Sequence, residues 1–177
     1  MSRSEPGALP PIRRAITVPW PVEQAFRRFT AELSAWWPLA THSISGPRAV
    51  RCGMDGRVGG EIYEEDDAGG RCVWGTILAW EPPGRLSFTW HPGRPAETAQ
   101  EVEVRFTPVP SGTRLDLVHT GWERYGPEAK KAHRGYGLGW AYVLNHWAGR
   151  RRAPVNLVLD AVILVMRGWR RLRGTPG

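Results

Sequence analysis

Cysteine and lysine are nearly missing from this chain of 177 residues, which has two of each. Cys52 and Cys72 are too few for a disulfide framework, and with no C-x-x-C spacing they make neither a zinc pair nor a redox pair. A single bridge stays open only if two strands set them side by side. With so little lysine, 22 arginines carry the positive charge, a pattern expected from nucleotide-composition bias rather than from 22 designed contacts. Long apolar runs are missing too. The apolar segment Val155 to Met166 has Asp160 at its middle, and its twelve residues would span only about 18 Å as a helix, short of the roughly 30 Å of a bilayer core. The opening stretch MSRSEPGALPP lacks the apolar centre of a secretory leader, so a cytoplasmic location with reduced thiols is expected.

Several kinds of chemistry are excluded in the same way. His42, His91, His119, His133 and His146 show no H-E-x-x-H or comparable spacing, and no acid completes one, so no metal is expected. Gly135, Gly137 and Gly139 alternate but do not follow a strand and lack the spacing of a dinucleotide loop. Ser43 beside His42 is adjacency, not triad geometry. No motif calls for a cofactor. The net charge of +7 is not a nucleic-acid signature, because residues 1–147 hold 17 basic and 16 acidic side chains while residues 148–177 hold seven and one. The body is balanced and the tail is basic.

What the chain has in excess is tryptophan, ten residues. Such rings fill a bulky core or line a cavity. They concentrate in CVWGTILAWEPPGRLSFTW, Cys72 to Trp90. Alternation sets Cys72, Trp74, Thr76, Leu78 and Trp80 on one face, and Leu86, Phe88 and Trp90 do the same on the return, so two half-buried strands are expected. Glu81-Pro82-Pro83-Gly84 reads as a type II turn, with Gly84 at the positive-φ position. In chain order the pattern predicts a lead-in over 1–11 without fixed structure and a strand from Ile12 to Val18. A short amphipathic helix from Val22 to Phe29 and a turn or helix from Ala31 to Trp37 follow. Further strands are Arg48 to Met54, Gly59 to Glu65, Glu101 to Thr107 and Arg114 to Thr120. Val102, Val104 and Phe106 alternate with Glu101, Glu103 and Arg105, and strands spaced this way without helices between them imply an antiparallel meander. Glu64 to Gly70 reads as a solvated hairpin tip. From Pro127 to Trp147 the period changes to three and four, and His133, Tyr136, Trp140, Val143 or Leu144, and Trp147 form one aromatic stripe of a long helix. Three glycines inside it cost about 1 kcal/mol each, which requires either a close approach to the sheet or a break.

The segments WWPLATHSI, GGEIYEED, WGTILAWEPPGRLSFTW, GTRLDLVHTGWERYG and GWAYVL resemble the prokaryotic homologues of the carboxy-terminal domain of the heat-shock-protein-90 ATPase activator. These lie within the START-like, birch-pollen-allergen-like (SRPBCC) superfamily. The resemblance runs from about Ile12 to Trp147. It implies an α+β helix-grip fold: a curved antiparallel sheet around a long carboxy-terminal helix, with an apolar cavity between them.

The domain expected is 12–149, with a basic helical tail over 150–177 that packs on the body, self-associates or lies on a membrane surface. The site expected is a ring-lined pocket of Trp36, Trp37, Trp74, Trp90, Tyr136 and Trp140, with His42, His119 and Arg51 as polar handles, taking a small hydrophobic molecule. The competing reading is that these rings fill the core. Cys72 is expected to be an inert core thiol. Three functions follow: ligand binding without covalent chemistry, an enzyme of the same superfamily (cyclase, dehydratase or hydrolase type) using a pocket polar residue, and a chaperone-activator-like interaction protein.

Overall fold

In the computed structural model, which describes residues 9–173 and the side chains of residues 9–164, the alternating segments form one antiparallel sheet. Its strands are β1 (Ile12–Val18), β2 (Ala49–Met54), β3 (Glu61–Asp66), β4 (Arg71–Glu81), β5 (Arg85–Trp90), β6 (Gln100–Val109) and β7 (Gly112–Thr120). Strands β2 to β7 run as a meander, and β1 closes the far edge against β7, giving the order β1-β7-β6-β5-β4-β3-β2. Helices α1 (Val22–Thr30) and α2 (Leu33–Trp36) lie between β1 and β2, and α3 (Ala129–Trp147) and α4 (Pro154–Arg173) follow the sheet. This is the helix-grip arrangement, a curved sheet wrapped around α3.

The inner face is set by register. Val102 pairs with Phe88 and His119, and Val104 with Leu86 and Leu117, all buried. Opposite them, Glu103 takes both Arg85 and Arg105. The predicted wet and dry faces of β6 are therefore real, because a period of two admits no third option.

Strand β4 departs from simple alternation. Register shifts against β3 and again between Ile77 and Ala79 against β5, and each such bulge moves the following side chain to the other face. Ile77 is buried and Leu78 is 44% exposed, the reverse of the sequence expectation, and Trp80 returns to meet the ring of Phe26. The turn also differs. The Pro82–Pro83 peptide is cis, and Gly84 keeps an ordinary φ while its N–H donates to Glu81 O. A cis proline at the third position is a type VI turn, which needs no positive φ.

The long helix begins at Ala129 rather than Pro127. Gly126, at φ 77°, kinks the 3-10 segment Trp122–Glu128 that leads into it. Its glycines neither break it nor touch sheet backbone. Gly137 instead receives Arg14 of β1, which donates from Nη2 and Nε to Gly137 O at 2.7 and 3.1 Å. One end of the sheet–helix space is filled by rings, with Trp147 against Trp20, Phe29 and Phe106. Cys52 and Cys72 both pair with Glu64, one from each side of β3. Two strands apart, they are beyond disulfide reach, and both are free. Cys52 is the core thiol, pushed up to about 12 by burial. Cys72 is only half-buried, with Sγ 4.0 Å from Ser45 Oγ.

Of the lead-in, residues 1–8 lie outside the described residues, while Leu9 packs on the core and Pro10 O meets His133 Nε2 at 2.8 Å. Helix α4 leans on α3 through polar contacts: Tyr142 Oη donates to Asp160 (2.6 Å) and Asn145 Nδ2 to the fully buried Asn156 (3.0 Å). Its outer face leaves Leu157, Val158, Val162 and Leu164 exposed. Among the described residues, no helix is long and apolar enough to cross a membrane.

Candidate functional site

At its other end the space between sheet and helix is left unfilled by side chains, a half-open cavity of about 400 Å³. The sheet contributes Trp74 and Trp90, and α3 contributes Gly135, Tyr136, Gly139, Trp140 and Val143. The loop after α2 closes it with Trp37, His42, Ser43 and Ile44. Alternation explains the sheet wall, and the spacing of four between Gly135 and Gly139, and between Tyr136 and Trp140, explains the helix wall. Trp37 meets Trp74 at 5.0 Å, Trp90 at 5.8 Å and Trp140 at 6.5 Å between ring centroids, and Trp90 meets Trp140 at 5.6 Å. These tilted and edge-on contacts hold the rings as a frame rather than a stack.

Glu64 holds the loop wall in place. It is fully buried, and its carboxyl accepts from Ile44 N (2.8 Å), Ser45 N (2.6 Å) and Trp74 Nε1 (3.0 Å). One side chain thus joins the loop to a tryptophan of the sheet. Trp37 Nε1 donates to His42 O at 2.7 Å from the other side. Glu64 therefore does not belong to a solvated hairpin tip, although Asp66 does, accepting from Ala68 N and Gly70 N. In β3, inward and outward residues alternate, and Glu64 falls on the inner side.

His42 is the polar feature of the wall. Its ring stacks on Tyr142 (5.0 Å between centroids, 16° between planes). Thr41 Oγ1 lies 2.8 Å from Nδ1 and itself donates to Pro38 O at 3.1 Å. Assigning the one hydroxyl proton to Pro38 O places the imidazole proton on Nδ1 and makes Nε2 the bare acceptor. Burial first, then His146, pushes its pKa down to about 4, against a smaller opposing pull from Asp160. Across the cavity, burial holds the Tyr136 phenol up at about 12.

The residues expected at the site therefore divide. Trp37, His42, Trp74, Trp90, Tyr136 and Trp140 come together around the cavity. Trp36 does not; it is buried against Phe29 with Nε1 bonded to Arg28 O, and it borders only a void of about 10 Å³. His119 is fully buried behind the wall, where its Nδ1 accepts from Trp140 Nε1 at 3.0 Å and burial pushes its pKa down to about 3. It orients a wall ring rather than facing the cavity. Arg51 is far from all of this, paired with Glu65 at 2.6 and 2.8 Å on the exposed side of β2. Glu64, Gly135 and Gly139 were missed, and the spacing of the two glycines on the tyrosine–tryptophan face of α3 was the signal for them. Among the described residues no group of three histidines, cysteines or acids is placed to hold a metal.

Comparison with known proteins agrees with the fold. No curated protein matches the sequence. Among solved structures, protein MLL2253 from Mesorhizobium loti is 22% identical, with 80% of this chain and 96% of that one covered and a TM-score of 0.60. Txn09, an anthrahydroquino-γ-pyrone synthase solved as a complex, is 32% identical over 81% of this chain and 97% of its own, with a TM-score of 0.57. The dimeric Aha1 from Colwellia psychrerythraea is 18% identical over 77% and 91%, with a TM-score of 0.54. Residues 19–147, which contain the whole cavity, match the family described as activator of Hsp90 ATPase homolog 1-like proteins, and to that family this chain belongs.

Proposed function

We propose that this protein binds one planar, largely apolar aromatic molecule between the sheet and the middle of α3. The observation that carries the reading is the unfilled volume of about 400 Å³ bounded by Trp37, Trp74, Trp90 and Trp140. Protein interiors pack to the density of organic crystals, so a gap of that size is not ordinary packing, and it falls in the range of small-molecule sites. Similarity to a synthase named for a fused-ring product supports a flat ligand over a branched one. Native mass spectrometry of the purified protein should find a stoichiometric lipophilic molecule. Anthraquinone titration should quench tryptophan fluorescence, and Trp74→Ala or Trp140→Ala, if folded, should lose most of that response. Unchanged quenching in both variants ends the reading.

A second reading, catalysis on the same molecule, is favoured by the neutral His42 base on the wall and by the same synthase. Incubation separates the two: a bound molecule recovered at unchanged mass supports the carrier, and an altered mass supports the enzyme. The chaperone-activator reading rests on the family description alone. For the exposed apolar side of α4 we propose a second copy of this chain as the cover, as the dimeric relative suggests.

A further inference from the structure

The cavity wall is almost entirely carbon, so the few polar atoms that reach it decide which aromatic molecule fits. Ser43 Oγ is already engaged with Gly46 O at 3.2 Å. His42 Nε2 is different. With the Thr41 proton assigned to Pro38 O, the imidazole proton sits on the opposite nitrogen; the Tyr142 ring holds the imidazole plane, and the ring edge turns toward α3 where Gly139 leaves its surface bare. A Cβ built on Gly139 would sit 3.9 Å from Nε2, its nearest neighbour, and one built on Gly135 would meet nothing within 4 Å. A helix keeps two such glycines at a cost of about 1 kcal/mol each, and both open the same wall of the cavity.

We propose, resting on the binding reading above, that the ligand is a planar phenol: its ring lies on the bare helix surface at Gly135 and Gly139, and its hydroxyl donates to His42 Nε2. The environment keeps the acceptor available. Tyr142, His146 and Asp160 surround the imidazole, and burial keeps it unprotonated at neutral pH, so Nε2 offers a lone pair rather than a proton. A ligand that brings only an acceptor would leave both groups unsatisfied there. Gly139 acts as a size and approach determinant, since any side chain at that position occupies the space the phenol oxygen needs.

Isothermal titration calorimetry at pH 7.5 with 2-naphthol and 2-methoxynaphthalene tests this, because the two differ in the ability to donate. The wild-type protein should bind 2-naphthol about three- to tenfold more tightly, the span of one neutral hydrogen bond. His42→Phe, which keeps a ring on Tyr142, should bind both equally, and Gly139→Val should weaken both. Thr41→Val, which leaves the imidazole in place but releases its tautomer, should shrink the preference and serves where His42→Phe does not fold. Equal affinities in the wild-type protein, tighter binding of the methoxy compound, or a preference that survives His42→Phe would each overturn the assignment. If neither compound binds and no molecule is found by native mass spectrometry, the cavity reading itself fails and takes this one with it.

Discussion

At the scale of single residues, burial of two histidines makes the protein acid-sensitive. His42 and His119 have pKa values of about 4 and 3, against 6.5 when unfolded. Between those limits the unfolded chain binds protons that the native state does not, so the stability is fully present above about pH 6.5 and is lost as pH falls toward 4 and then 3. The effect is at most on the order of 3 kcal/mol for His42 and on the order of 5 kcal/mol for His119. Urea midpoints measured at pH 7 and pH 4.5 should fall further for the wild-type protein than for His42→Phe, and an equal fall would remove the burial argument. Glu64 makes the second prediction at this scale. Glu64→Ala leaves three N–H donors without their acceptor and should cost about 3 kcal/mol, while also weakening ligand-dependent quenching because the loop carrying His42 loses its tie to Trp74. Sequence could not single out Glu64. It and Glu65 are chemically identical neighbours, and only the pleat turns one inward to the loop and Trp74 and the other to Arg51. Trp36 and Trp37 differ in the same way: the end of α2 turns the first into the core and the second into the site.

Among the elements, glycines in strand and helix respond in opposite directions. A Cβ on Gly75 would collide with Thr89 O of β5, so Gly75→Ala should destabilise by several kcal/mol, because the clash is with backbone that cannot step aside. A Cβ on Gly135 meets nothing, and Gly135→Ala should raise stability by about 0.5–1 kcal/mol in denaturant unfolding. A loss instead would mean the helix needs that glycine for its backbone. The elements themselves were legible in the pattern, since the clean alternation in β6 and the change to a three–four period at α3 leave few other readings. The bulges in β4 were not, because a bulge is selected by the neighbouring strands rather than by Leu78 itself. The glycines of α3 signalled that the helix is special without saying that two of them face a void and the third receives Arg14.

For the molecule as a whole, α4 is held to α3 by Tyr142, Asn145, Asn156 and Asp160 while its outer side stays apolar and exposed. If a second copy covers that side, Val158→Glu combined with Leu164→Glu should convert a dimer to a monomer in sedimentation velocity without lowering the melting temperature by more than a few degrees. A wild-type protein that is monomeric at tens of micromolar rules this cover out, and sedimentation with anionic vesicles would point to a membrane surface instead. The tail was the stretch about which sequence said least. Apolar residues on a short helix state that something must cover them but not what.

By itself the sequence determined the layers of this protein, because hydrophobic period dictates which side of each strand and of α3 seeks cover, and ten tryptophans guaranteed that the covered space would be walled by rings. Whether that space is filled was decided only in three dimensions. The rings of Trp20, Phe29, Phe106 and Trp147 pack one end, and at the other the buried Glu64 ties the loop wall to Trp74 while two bare helix positions leave the space open. Volume left over is a property of how elements meet, and no single residue type encodes it.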